Sequence, residues 1–269
     1  MSDSTPRNDQ IFDIIVRAYI ESAEPVGSRM LSRNFDLHLS PASIRNVMAD
    51  LEEQGLLKQP HTSAGRVPTD KGYRYWVDSL MQVEELEPAE KRRIHDELSH
   101  VRTVTDLVER ASKIISHFTQ NAALVYVKNL KRVSFLNHLL DDLIETHKLN
   151  DFFEEDAELF VEGISRMFEQ PEFHDLELMR PLLQAFDRKQ SFLAVFLSDA
   201  DEEGVHLHIG RENSIGELEK MSVVSKDYYY DDEPIGGIAV VGPTRMRYQK
   251  VVSVVEFVAD AVTDTVKRF

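Results

Sequence analysis

The chain contains no cysteine among its 269 residues, which excludes disulfides, thiolate metal sites and a cysteine nucleophile. It also lacks any run of about 18 apolar residues, so no membrane-spanning helix is expected. The opening MSDSTPRNDQ has no apolar core of the kind a signal peptide needs. A cytoplasmic location is the expectation. Catalytic signatures are missing as well: there is no HExxH, no GxSxG elbow, and no glycine loop ending in Lys-Ser/Thr. An enzyme is therefore not expected, and neither a cofactor nor a metal. There is no internal repeat and no low-complexity tract.

The hydrophobic fraction of 42% can build packed cores, and the length suits two modest domains or one large one. The formal charge of −16 argues at first against nucleic acid. It is unevenly spread. Residues 1–81 hold 9 Lys/Arg against 11 Asp/Glu, whereas residues 82–269 hold 22 against 36. Any DNA binding by the first part must use a local patch. Lys58, Arg66, Lys71 and Arg74, opposed only by Asp70, form a positive run that reads as a footprint for phosphate contacts.

The most informative stretch is SPASIRNVMADLEEQGLLKQPHTSAGRVPTDKGYRYW at 40–76. Ser40 reads as an N-cap and Pro41 occupies the first helical position, where its missing N–H costs nothing. Ile44, Val47, Met48 and Leu51 form one buried stripe, and Gly55 ends the helix. Leu56-Leu57-Lys58 reads as a short strand, 59–66 as a loop tip, and Val67 as the return. Thr69 caps a further helix carrying Tyr73, Trp76, Val77 and Leu80. A helical stripe at 9–22 and a short helix from Ser28 to about Asn34 precede it. This order suits a winged helix-turn-helix. Its stripe leaves Ser43, Arg45, Asn46, Ala49 and Asp50 facing away from the core. Arg reads guanine and Asn reads adenine bidentately, and both lie near the helix start where such proteins contact bases. Ser40 and Ser43 suit phosphate oxygens at the helix N-terminus. In the loop His61-Thr62-Ser63-Ala64-Gly65-Arg66, small residues would let backbone approach a phosphate, with Arg66 entering a minor groove or gripping the backbone. The same pattern also fits interaction-only winged helices, in which an exposed Arg-Asn pair is solvated surface.

Residues 82–93 read as a polar linker containing Pro88. A helical pattern follows from about Ala89 to Thr119, then a buried strand at Ala122–Val127. Residues 133–170 read as helical until EQPEF breaks them, and Leu176–Phe186 as one more helix. Phe192–Ser198 and Val205–Ile209 read as a hairpin across DADEEG. Ser222–Tyr230 and Ile235–Val241 read as a second antiparallel pair, and a final helix runs from about Met246 to Lys267. The class is α+β.

Two long stretches carry a resemblance: YIESAEPVGSRMLSRNFDLHLSPASIRNVMADLEEQGLLKQPHTSAGRVPTDKGYRYWVDSL at 19–80 and IGGIAVVGPTRMRYQKVVSVVEFVADAV at 235–262. MFEQPEF at 167–173 and LVYVKN at 124–129 add weaker matches. On these residues the chain resembles the HrcA family of bacterial heat-inducible transcription repressors. The resemblance implies a winged helix over 1–81, a linker at 82–93, and a GAF-like regulatory and dimerisation domain over 94–269 with a helical insert at about 136–188. It places the recognition helix at 41–54 and the wing at 58–67. It further implies a homodimer on an inverted-repeat operator upstream of chaperone genes, with the chaperonin maintaining the active form. DNA contacts are then expected from Ser40, Ser43, Arg45, Asn46, His61, Thr62, Ser63, Gly65, Arg66 and Lys71. One departure is large: between LKRVSF and QPEF this chain is shorter than the family's usual length by several tens of residues, across the second-domain sheet and the insert.

Other constellations read as structure. His138, Asp141, Asp142 and Glu145 share a helix face, with His147 close by, and fit a solvated acidic face better than a metal site. Asp199, Asp201 and Glu203 resemble the start of a calcium loop, but Gly210 stands where its bidentate glutamate is needed. His206 and His208 alternate on one strand without a third ligand. Gly236-Gly237 reads as slack at a sheet edge, and Tyr228–Tyr230 as an interface or a partly buried strand. Three rival readings stay open at this point: a ligand-sensing regulator of another regulon, an enzyme with an accessory helix-turn-helix, and an adaptor that never touches DNA.

Overall fold

The computed structural model describes residues 6–127, 158–187, 203–213, 216–231 and 233–268. The N-terminal part builds α1 (Pro6–Ser22), α2 (Ser28–Asn34), α3 (Pro41–Glu53), β1 (Leu57–Lys58), β2 (Val67–Pro68) and α4 (Asp70–Ser79). β1 and β2 are antiparallel, and Val26 bridges to Arg66 as a third extended segment. That element order is a winged helix-turn-helix. Its local chemistry follows the sequence closely. The Ser40 hydroxyl accepts from the Ser43 N–H at 3.1 Å, satisfying one of the orphan donors of the helix start. At the other end Leu56 N donates to Leu51 O and Gly55 N to Glu52 O, both at 2.9 Å, with Gly55 at φ +73°. This is a Schellman stop. Ile44, Met48 and Leu51 are buried from α3.

The second part contains α5 (Pro88–Ser99), α6 (Val104–Thr119), β3 (Ala122–Val127), β4 (Glu158–Glu162), α7 (Ile164–Phe168), a 3-10 turn (Pro171–His174) and α8 (Leu176–Asp187). β5 (His206–Ile209), β6 (Met221–Tyr230), β7 (Glu233–Pro243) and α9 (Tyr248–Val266) complete it. The five strands form one antiparallel sheet in the order β4-β3-β7-β6-β5. Successive side chains of β3 enter different cores. Ala123, Val125 and Val127 join the cluster that includes α6 and α9, while Ala122, Leu124 and Tyr126 join the one that includes Met167, Phe173 and Leu182. Both faces are covered, which is why AALVYV carries no polar alternation.

The α+β class, with an N-terminal winged helix followed by a second α+β part, is as expected. Several local readings need correction. The helical stretch 89–119 is two helices: the apolar phase slips between Val101 and Leu107, and Thr103 caps α6 by accepting from Asp106 N at 3.1 Å. Helix α5 starts at Pro88, inside the stretch read as linker, with Glu90 accepting from the Glu87 N–H at 2.9 Å. Residues 158–162 are a strand, not a helix, because ELFVE pairs along β3 from Glu158↔Val127 to Glu162↔Ala123. Short apolar runs of that length suit either period. Gly236 is not at an edge, since β7 lies between β3 and β6. A Cβ there would sit 2.2 Å from the Tyr228 hydroxyl and 2.3 Å from the Tyr126 carbonyl. Glycine makes room for the buried Tyr228, whose hydroxyl donates to Tyr126 O at 2.8 Å. The expected strand at 192–198, the acidic residues 138–147, Asp199 and Asp201 lie outside the described residues, as do residues 136–157 of the insert expected at 136–188.

The two parts share one core. Trp76 and Tyr73 of α4 belong to the same buried cluster as Tyr248, Val251 and Val255 of α9, and the Tyr73 and Tyr248 rings are 5.7 Å apart. Charged struts flank it. Arg74 Nε donates to Glu212 Oε1 at 3.0 Å, and Lys250 Nζ reaches Glu90 Oε2 at 2.7 Å. The Lys250 hydrogen bond holds the Glu90 carboxyl below the ordinary glutamate value of 4.5. At Glu212 burial pushes upward, but the Arg74 hydrogen bond and the Ile209 N–H outweigh it, so the net shift is again downward. Groups lowered on folding contribute stability that is present above their unfolded value and lost as pH falls through the folded one. Thermal melts should therefore weaken with acidification from about pH 4.5 downward. That pH dependence should be shallower in a Glu90→Gln/Glu212→Gln double variant; an unchanged slope would refute the strut assignment.

Candidate nucleic-acid interface

Helix α3 exposes Ala42, Arg45, Asn46 and Ala49 along one face, opposite Ile44, Met48 and Leu51. The two alanines are low ground on either side of a guanidinium and a carboxamide. Such a face allows close approach to a groove floor while two long polar side chains reach forward. Beside it lies a concavity of about 380 Å³ lined by Gly27, Ser28, Arg29, Arg45, Gln59 and the wing residues Thr62 to Arg66. Ser40 and Ser43 stand exposed at the start of α3, their hydroxyls 2.9 Å apart.

The wing tip is held from below. Gln59 Nε2 donates to Thr62 O at 2.9 Å and to Ala64 O at 3.0 Å, leaving His61, Thr62 and Ser63 exposed. Gly65 has a different reason from the one the sequence suggests. A Cβ there would lie 2.3 Å from the Val26 carbonyl oxygen, so its small size serves the approach of the wing to the chain's own backbone. Arg66 is likewise engaged within the protein: its Nη2 lies 2.8 Å from Glu52 Oε2, and its backbone pairs with Val26 in both directions. It clamps the wing to α3 and orients the loop.

The positive run from Lys58 to Arg74 does not form a single patch. Lys58 is exposed at the foot of the wing, Lys71 donates from Nζ to Gln54 O at 2.9 Å at the far end of α3, and Arg74 turns to the second part of the chain. The cation that completes the concavity is Arg29, which charge counting over 58–74 missed. Its signal in the sequence is its place in the first turn of α2, the helix that precedes α3. Gln59 was missed too, because its role is to two backbone carbonyls.

Gly65→Val tests the wing's base. The added carbons must displace the Val26 backbone, a cost of about 1–3 kcal/mol for an overpacked site. We expect a lower melting temperature together with weakened DNA binding; a variant with unchanged melting would show that the wing tolerates the displacement.

Comparison with known proteins gives the family. Residues 130–252 match the family model described as the HrcA protein C terminal domain. The heat-inducible transcription repressor HrcA of Syntrophobacter fumaroxidans is 30% identical, over 98% of this chain and 97% of its own length. That of Geobacter sulfurreducens is 32% identical, over 98% of both. The chain belongs to the HrcA family of heat-inducible transcription repressors. The alignment with the Geobacter HrcA runs over 339 positions, at least 70 more than this chain's 269 residues. With both chains covered nearly end to end, the difference is internal. A crystal structure described as a hypothetical protein at 2.2 Å resolution superposes with a TM-score of 0.75, at 21% identity, over 98% of this chain and 99% of that one. The likeness is one of fold.

Among the described residues no helix is long and apolar enough to cross a membrane. No group of three or more His, Asp or Glu is placed to hold a metal ion among them either.

Proposed function

We propose that this HrcA-family chain represses chaperone genes by binding an inverted-repeat operator as a homodimer in the cytoplasm. One α3 enters the major groove of each half-site. Arg45 and Asn46 read base edges, and Ser40 and Ser43 hold phosphate at the helix start. Arg29, Lys58 and the exposed residues His61 to Ser63 follow the adjacent backbone. Gly65, Arg66 and Lys71 support this surface by setting the wing and the end of α3. The observation that carries the reading is the exposed Arg45-Asn46 pair between two alanines, beside a concavity walled by α2 and the wing. An α-helix fits the major groove, and paired recognition helices read half-sites about one helical turn apart. The protein acts by occupancy, not by catalysis.

In this reading the second domain supplies dimer contacts and the regulatory surface, with the chaperonin as its further partner. Loss of its fold on heating misaligns the two helices and frees the operator. Footprinting the purified protein upstream of chaperonin operons tests the assignment. A protected inverted repeat supports it, and log affinity should fall against log salt by about 0.9 per phosphate contacted. Protection without sequence preference, or none, would overturn it. A second domain still folded where operator binding has vanished would overturn the heating mechanism alone.

A further inference from the structure

Three segments remote in the chain meet at one guanidinium. Arg245, between β7 and α9, donates from Nε to Glu172 Oε1 at 2.5 Å and from Nη2 to Glu172 Oε2 at 3.1 Å. Glu172 belongs to the 3-10 turn of FEQPEF. The remaining fork of the same group, Nη1, donates to Ile20 O at 2.5 Å. Ile20 lies in the last turn of α1, whose carbonyls have run out of helical partners: Ala23 N turns back to Tyr19 O, while Glu24 N bonds the Ser22 hydroxyl. Arg245 thus caps a helix of the DNA-binding part from the second domain, placing a cation at the negative end of that helix. The side chains of Arg245 and Glu172 are only 12% and 21% exposed.

Helix α1 packs against both α3 and α4, so its direction fixes where the recognition helix points. A largely buried ion pair gives little net stability over an apolar pair of the same volume, but it tolerates few geometries. A planar fork that bonds one domain with two nitrogens and the other with a third is suited to fixing an angle.

We propose that Arg245 is a positioning residue for operator binding: by holding the end of α1 against Glu172, it sets the angle of the winged helix on the second domain and so the operator spacing the dimer accepts. This rests on the reading of a dimer on an inverted repeat.

The test has two independent arms on the full chain. Because the chain has no cysteine, labels at Glu53→Cys on α3 and Glu256→Cys on α9, both exposed, report the interdomain distance in spin-diluted samples without DNA. The native pairing should give one narrow distribution, and Arg245→Met should broaden or shift it. In the second arm, binding is measured to a single half-site, to the inverted repeat, and to the repeat lengthened by two base pairs. Arg245→Met should leave half-site affinity within about twofold, weaken the inverted repeat about tenfold, and narrow the preference between spacers. Glu172→Gln, which preserves volume, should do the same more mildly and serves if the methionine variant does not fold. An unchanged distance distribution overturns the proposal. So does a broadened one with spacer preference intact, and so does equal loss on half-site and full site. If neither protein binds any operator, the repressor reading fails, and the distance arm alone decides whether Arg245 sets the angle.

Discussion

Trp76→Ala should lower the melting temperature of the whole chain by about 10 °C, judged from the entropy of unfolding of a domain this large. Trp76 is fully buried in α4. Its indole N–H donates to Asp13 Oδ1 at 2.7 Å, and Arg17, paired with the same carboxylate at 2.9 Å, lies 5.9 Å over its ring. Truncation removes the largest side chain of the winged-helix core and leaves a cavity that the packed helices cannot close, which costs about 3–5 kcal/mol. That is a large part of the 5–15 kcal/mol by which domains are stable. The loss should not stay local, because the cluster holding Trp76 continues through Tyr73 to Tyr248 and the inner face of α9. Far-UV circular dichroism should show one transition moved down, not an early partial one. Trp76→Phe, which keeps most of the volume and gives up only the N–H, should cost a fraction of this. A shift under 3 °C for the alanine variant would mean the site collapses around the missing ring.

What the sequence makes legible here, and what it hides, follows from the range of each interaction. Helix α3 can be read residue by residue because its start, stripe and stop all lie within sixteen positions: Ser40 bonds its own third residue, the stripe repeats at helical spacing, and Gly55 takes the left-handed turn. The sheet strands β3, β6 and β7 are legible for the same reason. The failures over charged and small residues are choices of partner. Arg66 and Arg74 look alike as cations in a loop and a helix start, yet one closes on Glu52, 14 residues away, and the other on Glu212, 138 residues away. Nothing in the spacing of either marks it as spoken for. ELFVE could be read at either period until β3 was there to pair with it. Gly65 and Gly236 were visible as small residues, but the atoms that demand their smallness belong to Val26 and Tyr228. The junction at Arg245 is hidden most completely, since its other two members are separated by 73 and 225 positions from the arginine.

Arg45→Ala should weaken operator binding by about 1–3 kcal/mol, which is roughly 5- to 150-fold, while leaving the fold intact. The side chain is exposed, and surface substitutions away from caps and ion pairs usually change stability by less than about 0.5 kcal/mol. The sharper question is what Arg45 touches. If its guanidinium takes the O6 and N7 of a guanine, affinity should drop for the operator but hardly for random DNA, and the salt dependence should stay as it was. If it takes a phosphate, both should drop together and the salt slope should lose about one unit. Asn46→Ala makes the paired case. A carboxamide bidentate on adenine would lose discrimination at one position only, and a neutral group releases no counterion in either event. Should both variants bind operator like the parent, the face between Ala42 and Ala49 is not the reading surface. The wing with Arg29 would then have to carry recognition, through groove shape in place of base edges.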